Sequence, residues 1–183
     1  MATFDGGGIF VRDGRAIVSN TTIGGDSIAE GNSASGATGR GGGIFVQNVD
    51  GESRVDIFRG QINFNTAMLS GGGIFSNVTG TTVRMTNSAE VRGNQALTLN
   101  GGGLFNNGAH LQIDNIRLTE NLAFNGGGLF LNSGSANILN SLVDSNEAEQ
   151  TGGGIYNLDF LNILDSIVEG NLASFFPNIF DNG

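Results

Sequence analysis

Two acidic side chains, Asp144 and Glu169, have a type and spacing that could support chemistry on a carbohydrate. Each lies two residues before an asparagine of a repeated phrase, in two consecutive repeats. If consecutive repeats stack as parallel strands, the two carboxylates come to lie about 5 Å apart. That separation is typical of the carboxylate pair of a retaining glycosidase. No arginine is close to either acid in the pattern, and a pair of solvated surface acids explains the same residues.

The rest of the composition offers little chemistry. The chain of 183 residues has no Cys and no Lys, which excludes disulfides, thiolate metal sites and Schiff-base lysines. The single histidine, His110, has no partner nearby in the repeat and is interpreted as a surface or turn residue. A net charge of −9 argues against partners such as nucleic acid or anionic membranes. We therefore expect no catalytic residue, no metal, no cofactor and no membrane insertion.

A repeated phrase supplies the framework that would position such residues. Three glycines followed by Ile or Leu and an aromatic residue open near positions 6, 41, 71, 101, 126 and 152. The steps between openings are 35, 30, 30, 25 and 26 residues, and such periods indicate stacked supersecondary units. The shorter repeats each hold three short apolar stretches separated by turn-forming residues, which predicts three strands in one coil of a parallel β-helix. The glycines are expected at a bend where positive φ or close chain approach excludes a Cβ.

A second phrase indicates how the coils align. Late in each repeat an asparagine is followed two residues on by alanine, and an apolar residue usually lies three positions before it; Ala29 takes that position in the first repeat. Stacking places these asparagines about 4.8 Å apart, where their amides can form a hydrogen-bonded ladder. The predicted ladder residues are Asn32, Asn65, Asn94, Asn121, Asn146 and Asn171. A second, less regular ladder is predicted for Asn87, Asn115, Asn140 and Asp165.

The aromatic residue of the first phrase forms a column of its own. Because consecutive strand residues point to opposite faces, the preceding Ile or Leu fills the core and the aromatic residue lies outside. The sequence thus predicts an exposed aromatic stripe that could serve as a binding surface. Its members are Phe10, Phe45, Phe75, Phe105, Phe130 and Tyr156. A turn that folds over the stripe is the alternative.

The two phrases together resemble the repeats of right-handed parallel β-helix surface proteins of the polymorphic outer-membrane-protein type. Those repeats carry a Gly-Gly-x-Ile segment and an apolar-x-x-Asn segment. Bacterial surface proteins with repeated GGGIYN and SGNTA phrases are also similar, and this chain has GGGIYN at 152–157 and EGNLA at 169–173. The resemblance covers residues 5–183 and departs from the pattern in the long first repeat. It implies an architecture and leaves the activity open.

These patterns predict a single all-β domain over residues 1–183, a right-handed parallel β-helix of six to seven coils with an end segment at 174–183. The expected function is that of a non-enzymatic structural or adhesive module, extracellular or on the cell surface. A carbohydrate-binding or polysaccharide-cleaving protein is the alternative.

The expected partners are other copies of the chain, other surface proteins or glycans. Residues 1–117 carry all eight Arg and nine acids, whereas residues 118–183 carry eight acids and no Arg. Because the two ends of a β-helix expose unpaired strands and here differ in charge, the sequence predicts head-to-tail association into fibres.

Overall fold

The computed structural model describes residues 4–183, which form β-strands joined by turns, with no helix among them. Within the same residues, no helix that is long and apolar enough to cross a membrane is present. The strands are β1 (Ile9–Arg12), β2 (Arg15–Ser19), β3 (Thr22–Gly24), β4 (Ser33–Ala34), β5 (Ile44–Gln47), β6 (Ser53–Phe58), β7 (Gln61–Asn63), β8 (Thr66–Ala67), β9 (Ile74–Asn77), β10 (Thr81–Thr86), β11 (Glu90–Arg92), β12 (Gln95–Ala96), β13 (Leu104–Asp114), β14 (Arg117–Thr119), β15 (Leu122–Asn125), β16 (Leu129–Leu139), β17 (Leu142–Asp144), β18 (Glu147–Thr151), β19 (Ile155–Asn157), β20 (Phe160–Leu164), β21 (Ile167–Glu169) and β22 (Ile179–Asp181).

These strands stack in three parallel sheets, each coil of the chain adding one layer. Sheet 1 has eleven strands and two columns: β1, β5, β9, β19 and β22 lie in the first, β2, β6, β10 and β20 in the second, and β13 and β16 run through both. Sheet 2 has six strands and sheet 3 has five. Sequence neighbours in one coil therefore lie in different sheets, while residues one repeat apart become neighbours.

The prediction of an all-β parallel β-helix is confirmed, but the predicted count of six to seven coils is slightly too high. Five coils place a strand in all three sheets, which makes about five complete turns. In the sixth coil the third sheet is reduced to isolated bridges at Leu172 and Phe175. The chain then adds β22 alone, which pairs with β19. The last repeat has the glycine phrase but too few residues in strand conformation after Asn171 to close another layer.

The core is a column of aliphatic side chains that point inward from all three sheets. Strand alternation places Val55, Val83 and Leu111 in one inward row of sheet 1, and all three are buried. Val91 and Leu118 continue the same core from sheet 2. Burial of this column stabilises the fold at about 25 cal/mol per Å² of apolar surface removed from water.

The asparagine ladder runs along the core, and from Asn65 to Asn171 every side-chain hydrogen-bonding group is satisfied. Asn121 is fully buried, and its Oδ1 accepts from the backbone N (2.9 Å) and the Nδ2 (3.0 Å) of Asn94. Its Nδ2 donates to Asn146 Oδ1 (2.9 Å) and to the backbone O of Val91 (3.0 Å). An amide has two donors and two acceptor positions, and all four are used. The same contacts recur from coil to coil, so each asparagine depends on the next.

The two ends of the ladder differ from the repeat. In the first coil Ile23, not Ala29, lies in register with Ile62 and accepts from the next coil's asparagine. Ala29 is exposed in an extra turn before Asn32, so its proposed role was wrong. At the other end, Asn178 lies only seven residues after Asn171 and accepts from its backbone N (3.4 Å) and Nδ2 (3.2 Å).

Each of the three positions of the glycine phrase excludes a side chain for a different structural reason. Gly101 adopts φ +69°, a conformation that side chains disfavour. A Cβ on Gly102 would lie 2.5 Å from the backbone O of Leu122. A Cβ on Gly103 would lie 2.7 Å from the backbone O of Gly128 in the next coil and 3.1 Å from Asn121 Cγ. The third glycine thus leaves the space that the ladder amide occupies.

The four polar residues predicted to form a second ladder do not form one. Asn87, Asn115, Asn140 and Asp165 all have φ between +48° and +59° and lie at the turn that leaves the second column of sheet 1. Asn140 Nδ2 donates to Asp114 Oδ1 (2.9 Å) rather than to the column. Asn and Asp recur here because they tolerate the left-handed conformation better than other side chains.

Replacing Asn121 by Leu should lower the free energy of unfolding by at least about 2 kcal/mol, because Asn94 then keeps buried donors without acceptors. Urea denaturation followed by far-UV circular dichroism measures the loss. The exposed Asn162 provides the control: Asn162→Leu should change stability by no more than about 0.5 kcal/mol. Equal stability of Asn121→Leu and the wild type would mean that the ladder contributes nothing.

Replacing Gly103 by Ala should destabilise the fold by about 1 to 3 kcal/mol, since the new methyl group overpacks against the next coil. Gly14 is the matched control, because a Cβ there would meet its nearest atom at 3.6 Å and no positive φ is involved. Gly14→Ala should alter stability by less than about 0.5 kcal/mol. Thermal melts of both variants test the difference, and two equal melting temperatures would contradict the packing argument.

Candidate binding surface

The second column of sheet 1 presents a polar face to solvent, here called the polar face and defined as the outward side chains of β6, β10, β20 and the second halves of β13 and β16. In one row Arg54, Thr82, His110 and Ser135 are neighbours on successive strands. The next outward row consists of charged and amide side chains. The rows are Arg54, Thr82, His110, Ser135 and Phe160, and Asp56, Arg84, Gln112, Asn137 and Asn162.

One cleft of about 310 Å³ opens on the first of these rows and is lined by Arg54, Thr82, His110 and Ser135 together with adjoining turns. His110 has hydrogen-bond partners, contrary to the prediction from the sequence. Its Nδ1 lies 2.5 Å from Ser135 Oγ, and its Nε2 lies 3.1 Å from Gln112 Nε2. The His110 ring thus contacts a hydroxyl through one nitrogen and an amide through the other, and the donor and acceptor roles depend on the tautomer.

A second cleft of about 280 Å³ adjoins the first and is lined by Arg84, Thr86, Gln112, Asn137 and residues at the column's edge. Thr86 is only 7% exposed, and its Oγ1 has no hydrogen-bond partner among residues 4–183. The oxygen itself exposes almost no surface, so the cleft offers instead the polar groups of Arg84, Gln112 and Asn137. Arg84 forms no ion pair among residues 4–183, and its guanidinium carbon lies 5.9 Å from the centre of the Phe58 ring.

A buried carboxylate organises the cationic end of the polar face. Asp56 has no exposed side-chain surface and forms ion pairs with Arg15 (2.7 Å) and Arg54 (2.8 Å). Burial acts to raise the pKa of Asp56, but the hydrogen bonds from Arg54 and Arg15 outweigh it and hold the pKa below its usual value. The pairs also fix both guanidinium groups over strands β2 and β6, beside the first cleft.

The acid pair first considered for catalysis lies elsewhere. Asp144 and Glu169 are in register on β17 and β21, as the sequence spacing predicted, but these strands belong to sheet 2. Glu169 is exposed, and Asp144 is half-buried with Oδ2 accepting from Ser145 Oγ at 3.3 Å. Among residues 4–183, no group of three or more His, Asp or Glu side chains could hold a metal ion.

The aromatic column is a continuous stack, but most of it is not the exposed stripe that was expected. Neighbouring rings from Phe10 to Tyr156 lie with centroids 4.5 to 5.2 Å apart and planes within 12° of parallel. Phe45, Phe75 and Phe130 are at most 5% exposed, which stacking alone does not explain, because Phe105 is also stacked on both faces and is half-buried. Phe10 is 48% exposed, Phe105 and Tyr156 are half-buried, and Phe180 extends the stack at 4.6 Å. Burial of the middle rings rules them out as a continuous apolar docking stripe.

The polar face was missed by sequence reasoning although part of its signal was available. His110 and Ser135 are 25 residues apart, which is one coil in that part of the chain. Once the ladder sets the register, the same rule brings Gln112 beside Asn137. The unpaired Thr86 hydroxyl has no such signal, because its burial depends on the side chains around it.

Comparison with family models, curated proteins and solved structures found no match to this chain. The resemblance to β-helix surface proteins therefore stays a prediction, and the functional argument depends on the side chains of the polar face.

Replacing Asp56 by Asn should lower stability by about 1.5 kcal/mol or more at pH 7, because two guanidinium groups lose their anionic partner. The folded-state pKa is depressed, so the carboxylate's contribution is complete above the unfolded value of about 3.9 and is lost as the pH falls through the folded value. The stability gap between wild type and Asp56→Asn should therefore narrow below about pH 4. Urea titrations from pH 7 to pH 3 measure it, and a gap independent of pH would contradict the assignment.

Proposed function

We propose that this protein is a non-enzymatic adhesive β-solenoid that binds a carbohydrate chain along its polar face. The observation that carries the proposal is the cleft of about 280 Å³ on sheet 1 in which the side chains of Arg84, Gln112 and Asn137 converge. Ligand sites commonly combine a concave surface with a few convergent polar groups of this kind.

The chemistry of the polar face suits an extended polyol. Its two adjoining clefts offer hydroxyl, amide, imidazole and guanidinium groups, which can both donate to and accept from sugar hydroxyls. Neighbouring positions within each row lie about 4.8 Å apart along the solenoid axis, so a linear polymer lying along that axis meets a polar side chain in each of the middle coils. The net charge of −9 disfavours nucleic acid as the extended ligand.

Binding is favoured over cleavage by the positions of the candidate catalytic groups. The ring of His110 contacts Ser135 and Gln112, and no carboxylate of the described residues orients it as a catalytic triad would require. The acid pair Asp144 and Glu169 belongs to sheet 2, whereas both clefts open on sheet 1. A polysaccharide-cleaving enzyme is thus the less supported alternative.

A role at the cell surface or outside the cell agrees with a rigid scaffold of this kind. Solenoids present long surfaces on a framework in which each repeat contacts its neighbours. Here the buried ladder fixes the spacing of the coils and leaves the outward positions free to carry binding groups. We include extracellular or cell-surface location in the proposal on this ground.

Arg84→Ala should weaken binding to a retained polysaccharide at least tenfold, the loss expected when a charge-assisted hydrogen bond disappears. Affinity electrophoresis against a panel of neutral and acidic polysaccharides identifies the ligand, and isothermal titration then compares variants. Asn137→Ala should also weaken binding, because its amide lines the same cleft.

Arg117→Ala is the matched control, since Arg117 is an exposed arginine on β14 of sheet 2 that forms no ion pair with any of the residues 4–183. Equal losses from Arg84→Ala and Arg117→Ala would reduce the interaction to non-specific charge attraction and overturn the proposal. Appearance of new reducing ends during incubation would favour the cleaving alternative.

A further inference from the structure

A cleft of about 410 Å³ opens on the first column of sheet 1, away from the polar face on the second column. It is lined by Phe75 and Phe105 of the aromatic column, and by Leu99 and Asn100 from the bend that precedes β13. Strands β9 and β13, which carry the two rings, are each paired on both edges. The cleft therefore lies within the middle coils of the solenoid.

The amide groups of this cleft keep free donors. Asn77 Oδ1 accepts from Asn107 Nδ2 (2.8 Å), and Asn100 Oδ1 accepts from Asn125 Nδ2 (3.1 Å). The Nδ2 groups of Asn77 and Asn100 have no acceptor within the described part of the chain. The oxygens are thus used by the next coil, and the nitrogens suit a ligand that accepts hydrogen bonds.

Arg40 adds a positive charge to the same cleft. Its guanidinium carbon lies 5.5 Å from the centre of the Phe75 ring, and it forms no ion pair with any of the residues 4–183. Asp5 accepts from the backbone N of Arg40 (2.9 Å) and not from its guanidinium. None of the described acidic residues lines the cleft, although the protein has a net charge of −9. The cleft is locally cationic, so its complement is an anion.

The aromatic column presents the edges of its rings to the cleft. Phe75 stacks on Phe45 at 5.2 Å and on Phe105 at 4.8 Å, and Phe105 continues the stack to Phe130 at 5.2 Å. Because neighbouring rings cover the faces, a ligand meets ring edges, which carry the positive part of the aromatic quadrupole. A ring edge attracts the negative face of another aromatic ring. The apolar part of a fitting ligand is therefore aromatic, and Leu99, which is 43% exposed, adds an aliphatic contact.

We propose that this cleft binds a small aromatic carboxylate. The carboxylate accepts charge-assisted hydrogen bonds from Arg40 and from the free amide nitrogens of Asn77 and Asn100. One face of the ligand's ring lies against the edges of Phe75 and Phe105. The volume of about 410 Å³ is within the range of small-molecule sites, roughly 300 to 1,000 Å³. This inference is independent of carbohydrate binding on the polar face.

The probe for this site is 2-naphthoate, titrated into the protein and followed by NMR. A dissociation constant of about 1 mM or lower is expected for a ligand of this size. The side-chain amide signals of Asn77 and Asn100 should shift, whereas those of the buried Asn121 should not. 2-Naphthamide, which is uncharged, should bind at least about tenfold more weakly. Cyclohexanecarboxylate, which has no aromatic face, should also bind more weakly.

Two protein variants test the cationic groups. Arg40→Gln should weaken binding of 2-naphthoate at least about fivefold. Asn100→Asp keeps the oxygen that Asn125 uses but replaces the donor by a negative charge, so it should abolish detectable binding. Arg117→Gln is the matched control and should bind like the wild type.

Equal binding of 2-naphthoate and 2-naphthamide by the wild type would overturn the proposal, and this comparison needs no variant to fold. Unchanged binding by Asn100→Asp, or equal losses from Arg40→Gln and Arg117→Gln, would overturn it as well. Arg84→Ala should leave binding of 2-naphthoate unchanged, because Arg84 lines the cleft on the second column. The two sites are thus tested separately.

Discussion

The whole architecture depends on a buried amide that cannot be satisfied within its own coil. Asn121 takes its acceptor from one neighbouring coil and gives its oxygen to the other, and it is fully buried. A coil with a different side chain at this place would leave unpaired polar groups on both sides. A buried amide in one coil therefore requires an asparagine in the next coil, and this requirement repeats in every coil of the ladder. The ladder ends at Asn178, whose Oδ1 accepts a hydrogen bond from Asn171 Nδ2. Asn178 precedes β22 at the position that corresponds to Gly154, the third glycine of its repeat.

Other constraints follow from this one. A Cβ on Gly103 would clash with the backbone O of Gly128 in the next coil and would crowd the amide of Asn121. The third glycine therefore recurs as regularly as the asparagine. With the coil spacing fixed, the aromatic rings meet at stacking distance, and the aliphatic rows close over one another. Offset and parallel aromatic contacts contribute about 0.5 to 1.5 kcal/mol each beyond the area they bury. The glycine phrase and the asparagine phrase therefore recur together because both are required by the close stacking of consecutive coils.

This dependence explains which features could be predicted from the sequence. The strand order, the register of Asn94 beside Asn121 and the pairing of Asp144 with Glu169 all follow from counting repeats. The burial of Phe75 could not be obtained in this way, because strand alternation gives the direction of a side chain and not what covers it. Ala29 was misassigned because the first coil inserts a turn where counting assumes none. The same limit applies to Thr86, whose unpaired hydroxyl depends on several side chains around it.

The regular interior and the variable exterior have different physical freedom. The inward rows of sheet 1 hold apolar residues from alanine to leucine in size, whereas outward positions such as Gln112, Asn137 and Phe160 change chemistry from coil to coil without disturbing the ladder. Polar groups could therefore collect on the middle coils and apolar groups on the last coil while the backbone stayed the same.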